Sequence, residues 1–179
     1  MKRLYLPLIL FLFLVLEGVA LDLLPGRLLT GDLLIVPHWV LIFLVFITIF
    51  YENERTYYSF IYALVFGLLI DVVYTGILGV YMFSYAFAIY IVHLLNKLVH
   101  ANIHVSILLG VVAVVLSDIS INVIYLVAGV NDMIWQDYFM TRLLPTLISN
   151  LVFLVILYPL FVKRLTTWGQ EQLSGNNTL

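Results

Sequence analysis

Long uninterrupted runs of apolar residues are the feature of this sequence that most limits its fold. The first run extends from Leu4 to about Leu24, and runs of similar length follow as far as Val162 with only short polar breaks between them. A helix of about 20 apolar residues crosses the hydrocarbon core of a bilayer. Because 64% of the residues are hydrophobic and only 10% are charged, one soluble domain could not bury this apolar surface. The sequence therefore predicts an all-α integral membrane protein.

Turn residues and short charged segments divide the apolar sequence into six predicted transmembrane helices. They form one bundle over residues 1–168, with spans at about 4–24, 33–51, 57–74, 77–98, 105–128 and 138–162. Pro37 is expected near the first turn of the second span, with His38 and Trp39 beside it at the membrane interface. Residues 169–179 are predicted to be a polar C-terminal tail that is disordered beyond Trp168.

The basic residues predict the orientation of the bundle. An even number of spans places both termini on one side of the membrane, and six of the eight basic residues fall on that side. They are Lys2, Arg3, Arg55, Lys97, Lys163 and Arg164. By the positive-inside rule both termini are cytoplasmic. The basic residues are scattered and form no patch, so no nucleic-acid partner is expected, and the absence of cysteine excludes disulfides and thiol catalysis.

Three carboxylates fall inside predicted membrane spans. Glu17, Asp71 and Asp118 each lie roughly 20–22 Å from the cytoplasmic end of a helix that runs outward, which places them in one layer of the outer half. A charge at the centre of a membrane helix costs about 2.5–3.5 kcal/mol and usually has a partner. Arg142, near the start of the last span, is the one basic residue close to this layer. We therefore expect Arg142 to neutralise Asp71 or Asp118.

Buried amides leave two interpretations open. Asn122 lies one helical turn after Asp118, and Asn150 lies near the middle of the last span. Such side chains form interhelical hydrogen bonds worth about 0.6 kcal/mol on average. Alternatively, Asp71, Asp118, Asn122 and Asn150 line a polar cavity that opens outward. The spacing of these residues does not distinguish between interhelical hydrogen bonds and a cavity.

Catalytic, cofactor and metal sites are not predicted. His100 and His104 have the four-residue spacing of a metal site on one helical face, but the intervening Asn102 interrupts the helix and no carboxylate is close. Glu52 and Glu54 are two residues apart, and we expect them to lie in a solvated loop. Tyrosines and tryptophans near span ends, such as Tyr138, predict an interfacial belt. None of the motifs for phosphate, serine or zinc chemistry is present.

Short motifs across the chain resemble the MreD family of rod shape-determining proteins. They are Gly67-Leu68-Leu69-Ile70-Asp71 followed by Leu78-Gly79, then Gly31-Asp32-Leu33-Leu34 before the second span, and Arg142-Leu143-Leu144-Pro145 with Asn150 and Pro159 in the last span. The sequence departs from the family pattern at Gly31, where proline is usual, and at Gly76, where proline is often close by. The length and the six predicted spans agree with the family.

This resemblance implies a non-enzymatic scaffold of the bacterial cell-elongation machinery in the cytoplasmic (inner) membrane. Its expected partners are MreC and, further, MreB, RodA and a class B penicillin-binding protein, with which it supports lateral peptidoglycan synthesis and rod shape. The loops at Arg55 and Lys97 are candidates for contacts on the filament side. The residues expected to pack helices or contact partners are Gly67, Gly79, Ser84, Ala86 and Ala88.

The fold implied by the resemblance raises an alternative function. The family is expected to be similar in fold to the six-helix substrate-binding components of energy-coupling-factor transporters, and such a protein would bind a vitamin-like small molecule. Against this alternative, the first span contains only Gly18 and Ala20 as small residues. It lacks the pattern of two alanines, separated by three residues, that is associated with docking to a coupling protein. The scaffold is therefore the favoured prediction.

Overall fold

The computed structural model describes residues 4–23, 33–53 and 56–176, and the regular elements within them are all helices. The expectations for Gly31, Asp32, Glu54 and Arg55 lie outside the described residues. The described residues form six apolar helical segments in the predicted order. They are α1 (Tyr5–Leu23), α2 (Trp39–Phe50), α3 (Tyr58–Ile70), α4 (Val80–Asn96), α5 (Ile103–Val127) and α6, which begins at Trp135–Asp137 and Tyr138–Leu143 and continues as Leu144–Asn176.

The helices differ in length. Among the described residues, three helical stretches are long and apolar enough to cross a membrane: Tyr58–Thr75, Ile103–Val127 and Trp135–Gln172. The other three helices are apolar but shorter. Because α2 has 12 residues, it is only ~18 Å long and does not cross ~30 Å of hydrocarbon by itself.

Helix α2 is the centre of the bundle. All of its residues from 40 to 49 are buried, and it packs against each of the other five helices. A helix that is apolar on every side is suited to this position. Aromatic rings join it to two neighbours, since Phe43 lies 5.2 Å from Phe13 of α1 and 5.1 Å from Phe161 of α6 between ring centroids. The outer helices thus wrap a continuous apolar core.

An extended segment, residues 33–38, precedes α2 and packs along α6. Pro37 lies near the first turn of the second span as predicted, but α2 starts only at Trp39, later than the predicted start at about residue 33. Proline disfavours helical geometry in the residue before it, which is Val36 here. Non-helical backbone at membrane depth is tolerated where protein groups satisfy its hydrogen bonds. Side chains of α6 provide these hydrogen bonds for residues 33–38.

The last helix is longer than the sequence predicts. It continues to Asn176, so the expectation of disorder beyond Trp168 is wrong for residues 169–176. Trp168 stacks on Tyr5 with ring centroids 5.8 Å apart, and Gln172 Nε2 donates to the Tyr58 hydroxyl over 3.2 Å. The described ends of α1 and α6 therefore lie at one end of the bundle, which we call the basal end. The opposite end is the distal end.

Four of the five small residues singled out in the sequence are buried inside the bundle, and Gly79 is partly exposed. Ser84 and Ala88 are fully buried on α4, and Ala86 is nearly so. These side chains pack helices against one another and are not available to a partner protein. Gly79 has a φ of 97° at the start of α4, a left-handed conformation that favours glycine.

Gly67 allows α3 and α4 to approach closely. A Cβ at Gly67 would lie 2.7 Å from Met82 Cα and 2.8 Å from the Tyr81 carbonyl oxygen. Gly67→Ala is therefore expected to destabilise the protein by about 1–3 kcal/mol, because the backbone of α4 must move. Unfolding in detergent with increasing sodium dodecyl sulfate measures this loss.

Gly110 provides the matched control for that substitution. A Cβ there would meet the end of the flexible Leu154 side chain, which can rotate away. Gly110→Ala should change stability by less than Gly67→Ala. Equal losses for the two variants would contradict the assigned role of Gly67.

Candidate functional site

The candidate functional site is a buried polar layer in the distal half of the bundle. Helices α1, α3 and α5 run from the basal to the distal end, and each carries one buried carboxylate: Glu17, Asp71 and Asp118. Each carboxylate binds the beginning of the next helix in the chain. Glu17 and Asp71 accept from backbone N–H groups, which are unpaired at the start of a helix and which water cannot reach inside a membrane, whereas Asp118 binds side chains at the start of α6.

Asp71 caps the start of α4. Its Oδ2 accepts hydrogen bonds from the N–H groups of Gly79 at 2.9 Å and Met82 at 3.1 Å, and its Oδ1 accepts one from Tyr81 at 2.8 Å. The positive end of the helix dipole adds to this stabilisation of the carboxylate. The predicted alternative, in which Arg142 neutralises Asp71, is therefore wrong: Asp71 is held by backbone groups. A π-helical turn, Asp71–Thr75, begins at this residue and leads into the turn at Gly76.

Glu17 caps the start of α2 in the same way. The Val40 N–H donates to Glu17 Oε2 over 3.3 Å, and the side chain is buried between α1 and α2. The beginning of the central helix therefore depends on a carboxylate from the first helix. This contact also anchors α1, whose outer face is otherwise exposed apolar surface.

Asp118 is the centre of a polar network at the start of α6. The Nε and Nη2 groups of Arg142 donate to Asp118 Oδ1 at 3.3 and 3.2 Å, and the Tyr138 hydroxyl donates to Oδ2 at 2.6 Å. The prediction that Arg142 neutralises one of the two aspartates is confirmed for Asp118. Asp118 is fully buried and the Arg142 side chain is 14% exposed, so this is a buried ion pair with one partner near its edge.

His38 extends the network towards the bundle axis. Its Nε2 lies 3.6 Å from Asp118 Oδ1, and its Nδ1 lies 2.8 Å from the Tyr85 hydroxyl. His38, Tyr85 and Tyr138 are all fully buried. The expectations of an interfacial His38 and an interfacial Tyr138 are therefore wrong: both side chains are buried in the bundle, where the Tyr138 hydroxyl and His38 Nδ1 have hydrogen-bond partners.

The extended segment before α2 takes its hydrogen bonds from α6. Asn150 Oδ1 accepts from the His38 N–H at 2.7 Å, while its Nδ2 donates to the Val36 carbonyl at 2.9 Å. The Thr146 hydroxyl, one turn earlier, accepts from the Val36 N–H at 3.1 Å and donates to the Leu34 carbonyl at 3.3 Å. Two side chains of α6 thus substitute for a neighbouring strand, and this is what permits non-helical backbone at this depth.

Asn150→Leu is expected to destabilise the protein by about 2–4 kcal/mol. The substitution keeps a similar volume but leaves the His38 N–H and the Val36 carbonyl buried without partners, at about 1–3 kcal/mol each. Ser149→Leu, one residue earlier on the same helix, is the matched control. Thermal unfolding in detergent compares the two, and an Asn150→Leu protein as stable as the control would contradict the assigned role.

Asn122 binds a loop residue instead of joining the network. Its Oδ1 accepts from Asn131 Nδ2 at 2.8 Å and so ties the α5–α6 connection to α5. Of the four residues considered as the lining of one outward cavity, Asp71 caps α4, Asp118 binds Arg142, and Asn150 binds residues 33–38. These residues serve separate contacts between elements of the fold. Their positions support the hydrogen-bonding interpretation.

A second cluster lies at the basal end. The Ser59 hydroxyl donates to Glu52 Oε2 at 2.8 Å, the Ser59 N–H donates to Oε1, and His93 Nδ1 lies 3.4 Å from Oε2. Glu52 therefore caps α3 and is not the solvated loop residue that the sequence predicts. Burial raises the pKa of the Glu52 carboxyl above its usual value, while the Ser59 hydrogen bonds act in the opposite direction. His100 and His104, the two histidines with the spacing of a metal site, are not part of this cluster.

Sequence reasoning missed several members of both clusters. His38, Tyr85, Thr146 and His93 are buried polar side chains whose partners come from distant parts of the chain. Thr146 could have been found, because it lies one turn before Asn150 on the same helical face. Among the described residues, no group of three or more histidine, cysteine, aspartate or glutamate side chains could hold a metal ion.

Comparison with known proteins gives a match over most of the chain. The family model described as rod shape-determining protein MreD matches residues 2–167. The rod shape-determining protein MreD of Bacillus subtilis (strain 168) is 31% identical over 163 residues, which cover 88% of this chain and 90% of that protein. No solved structure matches the chain. The similarity to energy-coupling-factor components therefore stays a prediction.

Proposed function

Because the chain belongs to the MreD family of rod shape-determining proteins, we propose that it is a non-enzymatic membrane scaffold of the bacterial cell-elongation machinery. In this proposal the protein crosses the cytoplasmic membrane several times with both termini in the cytoplasm. It supports rod shape and lateral peptidoglycan synthesis by binding the transmembrane helix of MreC, and MreB, RodA and a class B penicillin-binding protein are further partners. The family match over residues 2–167 is the observation that carries the proposal.

The use of the buried polar groups supports a scaffold. Glu17, Asp71 and Asp118 each bind the start of another helix, so these groups serve the stability of the bundle. Large apolar side chains such as Phe11, Ile61 and Val152 remain on the outside of α1, α3 and α6. In a membrane such a surface contacts lipid or the helices of other membrane proteins. A rigid bundle with an apolar exterior is suited to binding the transmembrane helices of other proteins.

Depletion of the protein in its own bacterium tests the proposal. Rod-shaped cells should become round, and a tagged copy of the protein purified in mild detergent should retain MreC. A fluorescently labelled peptidoglycan precursor should then be incorporated at the poles and septum instead of along the side wall. Unchanged cell shape together with lost uptake of a vitamin-like solute would support the transporter alternative and contradict the scaffold.

A further inference from the structure

A polar cavity of about 290 Å³ lies at the basal end, between the ends of α2 and α4. The scaffold proposed above does not use it. Its lining combines charged and amide side chains with one apolar residue, and consists of Thr48, Glu52, Asn53, His93, Asn96, Lys97 and Val99. Most of these residues are polar, unlike the apolar core beside them.

His93 is the most informative residue of the lining. Its side chain is 6% exposed, its Nδ1 faces Glu52, and its Nε2 is buried without a hydrogen-bond partner among the described residues. A buried nitrogen without a partner is uncommon in proteins and usually indicates a missing water, ion or ligand. The Glu52 carboxylate already binds the N–H and hydroxyl groups of Ser59. The group that remains free to bind a ligand is therefore the imidazole.

Lys97 provides the positive charge of the cavity. It follows the last residue of α4, and its ammonium group is the one lysine charge in the lining. His93 Nδ1 faces the Glu52 carboxyl, so Nε2 is the ring nitrogen left for a hydrogen bond to a ligand. The Lys97 ammonium and an imidazole N–H at Nε2, which line the same cavity, are donors that suit a phosphate oxygen. Tyr57 stacks against His93 at 4.7 Å between ring centroids and limits how far the ring can move.

The position of the cavity indicates where such a phosphate comes from. Leu98 is 79% exposed beside Lys97, and Tyr57 is partly exposed on the same side. Exposed aromatic and apolar side chains next to a lysine at helix ends are typical of the headgroup region of a membrane. We propose that the basal cavity binds a phosphate ester, supplied by the headgroup of a membrane phospholipid, between Lys97 and His93.

Titration of the purified full-length protein with phosphatidylglycerol in detergent tests the proposal, with native mass spectrometry as the readout. The Lys97→Gln and His93→Gln variants should bind this lipid about tenfold more weakly, because each removes one charge-assisted hydrogen bond. The matched controls are Lys163→Gln, an exposed lysine on the last helix, and His104→Gln, an exposed histidine. Both controls should stay within about twofold of the unmodified protein.

Two further titrations separate the sources of the phosphate. Diacylglycerol, which has the same tails without phosphate, should bind more weakly than phosphatidylglycerol. Failure of soluble glycerol 3-phosphate to displace the lipid supports the membrane source, and displacement supports a soluble phosphate ester at the same site. Equal binding of both lipids, or an equal loss for Lys97→Gln and Lys163→Gln, would overturn the proposal. Thermal unfolding of each variant shows that weaker binding does not come from misfolding.

Discussion

Asp71→Ala is expected to destabilise the protein by about 4 kcal/mol or more, enough to remove most of the folded protein from the membrane. The substitution leaves three N–H groups at the start of α4 without an acceptor, namely those of Gly79, Tyr81 and Met82. Each buried donor left unpaired costs about 1–3 kcal/mol. Because no water is available at this depth, the loss cannot be offset by hydration.

Two comparison variants make this prediction specific. Asp71→Asn keeps one oxygen acceptor and should fall between the alanine variant and the unmodified protein. Asp132→Ala removes an exposed acid from the distal α5–α6 connection and should be within about 0.5 kcal/mol of the unmodified protein. Unfolding with sodium dodecyl sulfate and the amount of protein in the membrane measure the series. An alanine variant as stable as the asparagine variant would show that the caps contribute little.

Asp118→Asn is expected to cost about 3 kcal/mol for a different reason. The shape of the side chain is retained and the Tyr138 hydroxyl still has an acceptor, but Arg142 loses its negative partner. Removal of one member of a buried ion pair costs about 3–5 kcal/mol, since the remaining charge is left uncompensated. The lower figure applies because the Arg142 side chain reaches the edge of the bundle.

A double-mutant cycle tests the pairing directly. The variant with both Asp118→Asn and Arg142→Met should be less destabilised than the sum of the two single variants, because it has no unpaired charge. Arg164→Met on the exposed surface of α6 is the matched control and should have a small effect. Additive losses for Asp118→Asn and Arg142→Met would contradict a direct interaction between these two residues.

The two predictions share one physical origin. In a chain of helices that alternately run up and down, the start of every second helix lies at the distal side, inside or close to the apolar layer. Glu17, Asp71 and Asp118 provide carboxyl oxygens that accept hydrogen bonds at the starts of α2, α4 and α6, respectively. Carboxylates in the membrane are usually interpreted as sites of transport or proton transfer. Here their contacts explain them as supports of helix starts.

The helical rise per residue and the expected depth in the membrane were sufficient to predict the positions of part of the site from the sequence. The three carboxylates and Arg142 could be placed in one layer because each helical residue adds ~1.5 Å along the axis. That placement and the cost of an isolated charge predicted that Arg142 pairs with Asp71 or Asp118, and the structure selects Asp118. The partners of Asp71 could not be found in this way, since they are backbone N–H groups and every residue has one. Only the approach of α4 to α3 at Gly67 selects which of them are used.

Other parts of the bundle depended on contacts between distant residues. The start of α2 at Trp39, instead of earlier, is stabilised by the binding of Asn150 and Thr146 to residues 33–38 across more than 100 positions of sequence. The helical continuation beyond Trp168 likewise depends on packing, since Gly169 lies against the backbone of Phe50 and Tyr51. The local composition favoured a disordered polar tail, but tertiary packing stabilises a helix there.

Sequence alone was enough for the membrane class and for the order of the six apolar helices among the described residues, because the hydrophobic effect acts on composition and periodicity whatever the final packing is. Short motifs indicated the family. The tertiary structure decided which buried polar group binds which partner. Hydrogen bonds act only over about 3 Å and depend on direction, so the partners of Asp71, His38 and Asn150 exist only once the helices are packed.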